Sequence, residues 1–186
     1  RDSLWQISTS HFRSALTPLA VLVVAFLLSA CAGDIAKPTA ITAFTPTQRS
    51  SLQISDITAE ARPGVAMIPA EFERIVAHVR AEIGARFPTT LLDPKTQPSG
   101  SVCNMKIVFT QYDRGNAFAR FMIAGAGQIR IDADVMIVDA GNGQLVAQYQ
   151  VSKQFAFGGV LGASTRIEDV EEGFTKSVAE ILRDKT

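Results

Sequence analysis

The side chains that most often carry chemistry are scarce in this chain. Its 186 residues include two cysteines, two histidines and one tryptophan, Trp5. The cysteines, Cys31 and Cys103, cannot build a disulfide framework. Beyond residue 30 a single histidine remains, His78, so a Ser-His-Asp or Cys-His constellation has no second base to draw on. One histidine and one cysteine do not make a zinc site. Charge of one sign is lacking as well: 18 basic residues balance 18 acidic ones. The absence of a basic excess argues against a nucleic-acid partner.

Long apolar runs are confined to one place. Ala15 to Ala30 is nearly continuous in apolar residues, with Arg13 just before it. It has the length of a signal h-region and is short for a membrane span of about 20 residues. An uncleaved transmembrane helix is the alternative reading, and the small residues and cysteine that end the run speak against it. The tetrad Leu28-Ser29-Ala30-Cys31 resembles the lipobox of bacterial lipoproteins. That resemblance implies that residues 1–30 are a signal peptide and that the Cys31 thiol takes a diacylglyceryl group. Cys31 then becomes the first residue of the mature chain, with a further acyl chain such as palmitate on its new amino terminus. Two or three acyl chains hold firmly where one is marginal, at about 0.8 kcal/mol per buried methylene. Ala32 follows in place of Asp, which by the usual sorting rule favours the outer membrane, on its periplasmic side. The sequence opens on Arg1 rather than Met, so residues 1 to 12 carry no fold argument. Removing residues 1–30 takes away Arg1, Arg13 and Asp2, which leaves 16 basic residues against 17 acidic.

Residues 31–49 contain Pro38, Pro46 and many threonines without a steady apolar period, and read as a flexible tether. Residues 50–186 read as one α+β domain. Leu52, Ile54 and Ile57 suggest a first strand. Pro69 then opens a helix whose Phe72, Ile75, Val76, Val79, Ile83 and Phe87 form one stripe, and Pro88 stops it. Strands follow over Cys103–Phe109, Ile129–Ile137 and Leu145–Phe155, the last two joined by the turn Asp139-Ala140-Gly141-Asn142-Gly143. Ile167, Val170, Phe174, Val178, Ile181 and Leu182 form a second helical stripe. The expectation is a two-layer β-α-β-β-β-α sandwich: a four-stranded, mostly antiparallel sheet with two helices on one face. Cys103 falls in phase with Met105, Ile107 and Phe109, which makes it a buried, inert thiol.

Three features could carry a site. Asp132 and Asp134 project from one strand face about 7 Å apart and could chelate a hard cation or form an acid/base pair. They resemble the Asp-x-Asp motif of glycosyltransferases, whose nucleotide sugars the periplasm lacks. A solvated strand face beside Arg130 is the reading preferred for them. Gly125-Ala126-Gly127 leads into a strand, not a helix, and Gly158 to Gly162 lacks the lysine of a phosphate loop, so neither supports a nucleotide site. The third feature is apolar loop content. Ala117, Phe118, Ala119, Phe121, Met122 and Ile123 precede the first glycines, and Phe155, Phe157, Val160 and Leu161 surround the second. Adaptable backbone with exposed apolar side chains marks a contact surface for protein or lipid. The competing possibility is that these side chains fold back onto the core.

The lipobox, the Arg120-x-x-x-x-Gly125-x-Gly127 stretch before an alternating strand, the Asp139-to-Gly143 turn and the closing helix resemble a domain-of-unknown-function family of Gram-negative bacterial lipoproteins. The likeness runs from about Ser50 to Leu182. It implies no enzymatic activity and no cofactor beyond the covalent lipid on Cys31. The expected function is that of a lipid-anchored periplasmic protein of the outer membrane. It would be non-enzymatic and bind or assemble with other envelope components, with Phe155, Phe157, Val160 and Leu161 as contact residues. The alternative is an envelope hydrolase using Asp132 and Asp134.

Overall fold

The computed structural model describes residues 36–93, 95–123 and 125–183. Cys31, the apolar run before it and the first part of the expected tether lie outside those residues. Helices and strands alternate as β1 (Thr39–Thr42), α1 (Pro46–Ser50), β2 (Leu52–Ala61), α2 (Pro69–Arg86), β3 (Ser101–Asp113), α3 (Ala117–Met122), β4 (Ile129–Asp139), β5 (Leu145–Phe155), α4 (Gly159–Ser164) and α5 (Ile167–Glu180). The α+β class is as expected, and three of the four strand pairings are antiparallel, but the sheet is not the four-stranded one. It has five strands in the order β1-β5-β4-β3-β2, and β2 runs parallel to β3. The parallel pair follows from the connection between them. Residues 62–100 carry α2 back across the sheet, and such a crossover returns a strand in the same direction.

The fifth strand comes from the segment expected as a tether. β1 pairs antiparallel with β5, Thr39 opposite Gln150 and Ala40 opposite Tyr149, with a bulge before Thr42. Its side chains are exposed, so burial imposes no alternation for a sequence reading to detect. Phe44 then enters the core, where its ring lies 5.9 Å from that of Tyr149. Helix α1 begins with a capping box, Thr45 accepting from the Gln48 amide and Gln48 reaching back to Thr45 N, with Pro46 in the first turn. Residues 39–50 are thus part of the domain.

Helices α2 and α5 cover one face of the sheet, as the two stripes require. Ile75, Val79 and Ile83 from α2 and Val170, Phe174 and Val178 from α5 are buried against Met105, Ile107, Phe109, Ile131, Val135 and Ile137. Phe109 is the centre of an aromatic cluster, 5.6 Å from Phe174, 6.1 Å from Phe72 and 6.2 Å from Tyr112 between ring centroids. Cys103 is buried in this layer as a free thiol, which burial and then the nearby Asp139 push above its ordinary pKa. One polar group sits deep in the helix layer. Glu171 is fully buried and takes two bonds from the Arg74 guanidinium, at 2.7 and 2.8 Å, and one from the Tyr112 hydroxyl. The same contact raises the Tyr112 pKa, after burial itself, so the phenol stays a donor. Among the described residues no buried side-chain polar atom lacks a partner.

A candidate contact surface at one end of the sheet

β3 ends at Asp113, β4 begins at Ile129 and β5 ends at Phe155. The register brings these points together, Asp113 opposite Arg130 and Ile129 opposite Phe155. Both connections that leave this end were expected as loops. Each folds into a short helix instead, α3 in residues 114–128 and α4 in residues 156–166, and the two helices pack together. Asn116 caps α3 by accepting from the Ala119 amide at 2.9 Å.

A buried arginine locks them in place. Arg120 is 2% exposed, and its guanidinium donates to three carbonyls: Gly127 at 2.7 Å, Gly162 at 2.7 Å and Thr165 at 2.9 Å. One planar fork therefore ties α3, the turn before β4 and the C-terminal half of α4 together. Two glycines are fixed by close approach. A Cβ on Gly127, whose φ is +60°, would lie 2.4 Å from the Asn116 carbonyl oxygen, and one on Gly162 would lie 2.1 Å from that of Phe157.

What this scaffold presents is apolar. Phe118, Phe121, Met122 and Ile123 on the α3 side and Phe157, Val160 and Leu161 on the α4 side are each 50–75% exposed. Residues 115–128 and 154–165 contain one charged side chain, Arg120, and it is the buried one. Large apolar side chains grouped at one end without charge between them mark a surface for contact, unlike apolar residues scattered singly. Of the four residues anticipated here, Phe157, Val160 and Leu161 stand out from the surface. Phe155 does not; it is half-buried against the core, with the Phe157 ring 5.4 Å away. It is the last residue of β5, in phase with the inward-facing Val151, and so belongs to the core side.

The carboxylate pair is placed differently from expectation. Asp132 and Asp134 do share a strand face, but each is only 8% exposed. Asp132 accepts from Arg130 Nε at 2.8 Å and from the Ser152 hydroxyl on β5, and Asp134 accepts from Arg62 at 2.6 Å. Long side chains reaching over from the strand ends and from neighbouring strands cover a face that alternation alone presents as wet. His78 lies exposed on α2. Among the described residues no group of three His, Cys, Asp or Glu side chains is placed to hold a metal ion. A concavity of about 610 Å³ lies elsewhere, between β1, α1 and the end of α5, and includes Phe44, Arg49, Tyr149 and Glu180. Arg49 is already engaged there with the carbonyls of Ile181 and Arg183 and with the face of Phe44. Among the described residues no helix is long and apolar enough to cross a membrane.

Solved structures with this fold exist. Two are crystal forms of the PelC dodecamer from Paraburkholderia phytofirmans, 8% and 9% identical in sequence, with TM-scores of 0.54 and 0.51. Each match covers 80% of this chain and 99% of the other. Protein XCC0632 from Xanthomonas campestris is 12% identical over 78% of this chain and 93% of its own, with a TM-score of 0.46. At its identity the PelC likeness is one of fold alone. No curated protein matches the sequence. Residues 51–159, more than half of the chain, match a family model described as a domain of unknown function, DUF4410. The span takes in β2 to β5, α2, α3 and the stretch from Arg120 to Gly127 but stops at the start of α4, and the chain belongs to that family.

Proposed function

We propose that this chain is a lipid-anchored protein of the outer membrane, facing the periplasm, which binds or assembles with other envelope components and catalyses no reaction. The observation that carries the reading is the uncharged apolar end built by α3 and α4. A protein that holds seven large apolar side chains in water by means of a buried arginine has a use for them in contact. The lipobox at Cys31 supports the anchor. The crystal forms of PelC, a dodecamer with this fold, support self-assembly as one form of that contact. Asp132 and Asp134, each already neutralised by an arginine of this chain, give the hydrolase reading no free carboxylate pair.

Expression of the full chain in a Gram-negative host tests the reading in two parts. Mass spectrometry of membrane-extracted protein is expected to find Cys31 acylated and residues 1–30 removed, and Cys31→Ala to abolish both. An intact, unacylated residue 31 removes the anchor. Crosslinking in intact envelopes followed by pulldown is expected to recover fewer partners, or less of a second copy, when Phe157 and Leu161 are both replaced by Ser. An unchanged crosslinking pattern from a folded variant removes the contact surface.

A further inference from the structure

We infer that the partner of the α3–α4 end is the lipid bilayer itself: Phe118, Phe121, Met122, Ile123, Val160 and Leu161 dip into the leaflet that holds the acyl chains of Cys31. The inference rests on the lipid-anchor reading above and adds a second, non-covalent hold on the same membrane. Three observations favour lipid over a protein occupant. First, the side chains stand outward at 50–75% exposure and no charged group lies among them. An exposed charge within these two segments would resist entry into the interface; Asp113, Arg114, Arg130 and Arg166 lie at their borders, where headgroups and water reach them. Second, the backbone here is largely satisfied from within. Two helical turns, the Asn116 cap and the three carbonyls held by Arg120 reduce the number of polar groups to be stripped of water, which favours entry into a hydrocarbon boundary.

The third observation is the direction of β1. Thr39 pairs with Gln150, Ala40 with Tyr149 and Thr42 with Gln148, so β1 runs against β5. β5 ends at Phe155, on the α3–α4 side. The chain arriving at Thr39 therefore comes from that side. Cys31 lies eight residues upstream of Thr39, at most about 28 Å of extended chain. Gln150 and Phe155 are five residues apart along β5, about 17 Å. The reach exceeds the distance along β5, and β1 is entered from the side of the apolar end, so an anchor at Cys31 and insertion of that end are compatible with one membrane.

The absence of tryptophan beyond Trp5 gives a clean probe. Leu161→Trp introduces the sole tryptophan of a chain processed at Cys31, at an exposed position. Asn142→Trp does the same in the β4–β5 turn at the opposite end of the sheet. Each full-length protein is expressed, processed, purified in detergent and reconstituted into vesicles of phosphatidylethanolamine and phosphatidylglycerol. Part of the lipid is replaced by phosphatidylcholine brominated on its acyl chains. The tryptophan at 161 is expected to emit at shorter wavelength and to lose roughly half its emission to the brominated lipid, as for a side chain about 5–10 Å into the headgroup and acyl boundary. The tryptophan at 142 is expected to lose almost none. Equal, weak quenching at both positions with Cys31 acylated overturns the inference and leaves the anchor standing. Quenching at 161 with Cys31 unacylated supports insertion and overturns the anchor. A blue shift at 161 that depends on protein concentration and ignores the brominated lipid assigns the surface to a second copy and overturns the inference.

Discussion

Arg74 and Glu171 form one ion pair, yet replacing either has a different cost. Glu171 is fully buried, whereas the Arg74 side chain is 31% exposed. Arg74→Ala leaves a carboxylate inside the protein with only the Tyr112 hydroxyl, and is expected to destabilise the domain by about 3–5 kcal/mol, as for a buried charge stripped of its partner. Glu171→Gln leaves a guanidinium that water can reach, and is expected to cost distinctly less. Urea denaturation of the two variants checks the order, and equal losses would mean that the pair acts through packing alone. Glu71 makes the fold sensitive to acid. Burial pushes its pKa up, but the Ile68 amide and the Arg114 guanidinium outweigh this and hold it below the ordinary value of 4.5. A carboxylate with a depressed folded-state pKa stabilises the protein above its unfolded pKa and loses that contribution as pH falls through the folded value. The denaturation midpoint is therefore expected to hold from neutral pH to about 4.5 and to fall below it, with a shallower fall in Glu71→Gln. The Asp132 and Asp134 carboxylates belong to the same scale. With Arg130, Ser152 and Arg62 on them, the double change to Asn is expected to cost about 1–3 kcal/mol, where a solvated pair would cost almost nothing. Selective binding of a divalent cation by the unaltered protein, lost in this variant, would revive the hydrolase reading.

The short helices α3 and α4 stand or fall together on Arg120. Arg120→Ala leaves three carbonyls without their donor, and is expected to open residues 115–128 and 158–165 to amide exchange while the strands stay protected. Arg120→Lys is expected not to rescue them, since an ammonium cannot span three acceptors as a planar fork does. Equal loss of protection in α2 and α5 would instead make Arg120 part of the global core. These two helices also mark what the sequence could and could not tell. The long elements were legible because burial writes a period into them. The stripe Ile75, Val79, Ile83 and the alternation from Ile129 to Ile137 fixed a helix and a strand close to their observed positions. α3 and α4 bury almost nothing on their own account, so their apolar residues showed no inward phase and looked like loops. Their character was still visible as an excess of Phe, Met, Ile and Leu between glycines. β1 was hidden for the same reason, being an exposed edge strand with no buried face. The capping pattern Thr45-Pro46-Thr47-Gln48 beside it was there to be read. The parallel pairing of β2 with β3 was implied by the long helical connection between them.

For the molecule as a whole, β1 closes one edge of the sheet. Removing residues 36–50 would bare Gln148–Gln150 in the middle of β5, leaving unpaired amides and carbonyls on that edge, and would take Phe44 from the core. The shortened chain is expected to aggregate or pair edge to edge. Phe44→Ala alone is expected to cost about 3–5 kcal/mol without changing the oligomeric state. Sedimentation and denaturation of the two separate loss of an edge from loss of a side chain. The placement of β1 has a mechanical side too. Its bonds to β5 lie across the strand axis, whereas a tug on the residues upstream of Thr39 acts along it. Such a load must slide several bonds at once in shear and cannot peel them apart one by one. Phe44 in the core and Arg49 on the carbonyls beyond α5 act as stops behind the strand. A protein moored by the chain ahead of β1 would thus meet tension from its mooring at the point where its sheet yields least readily.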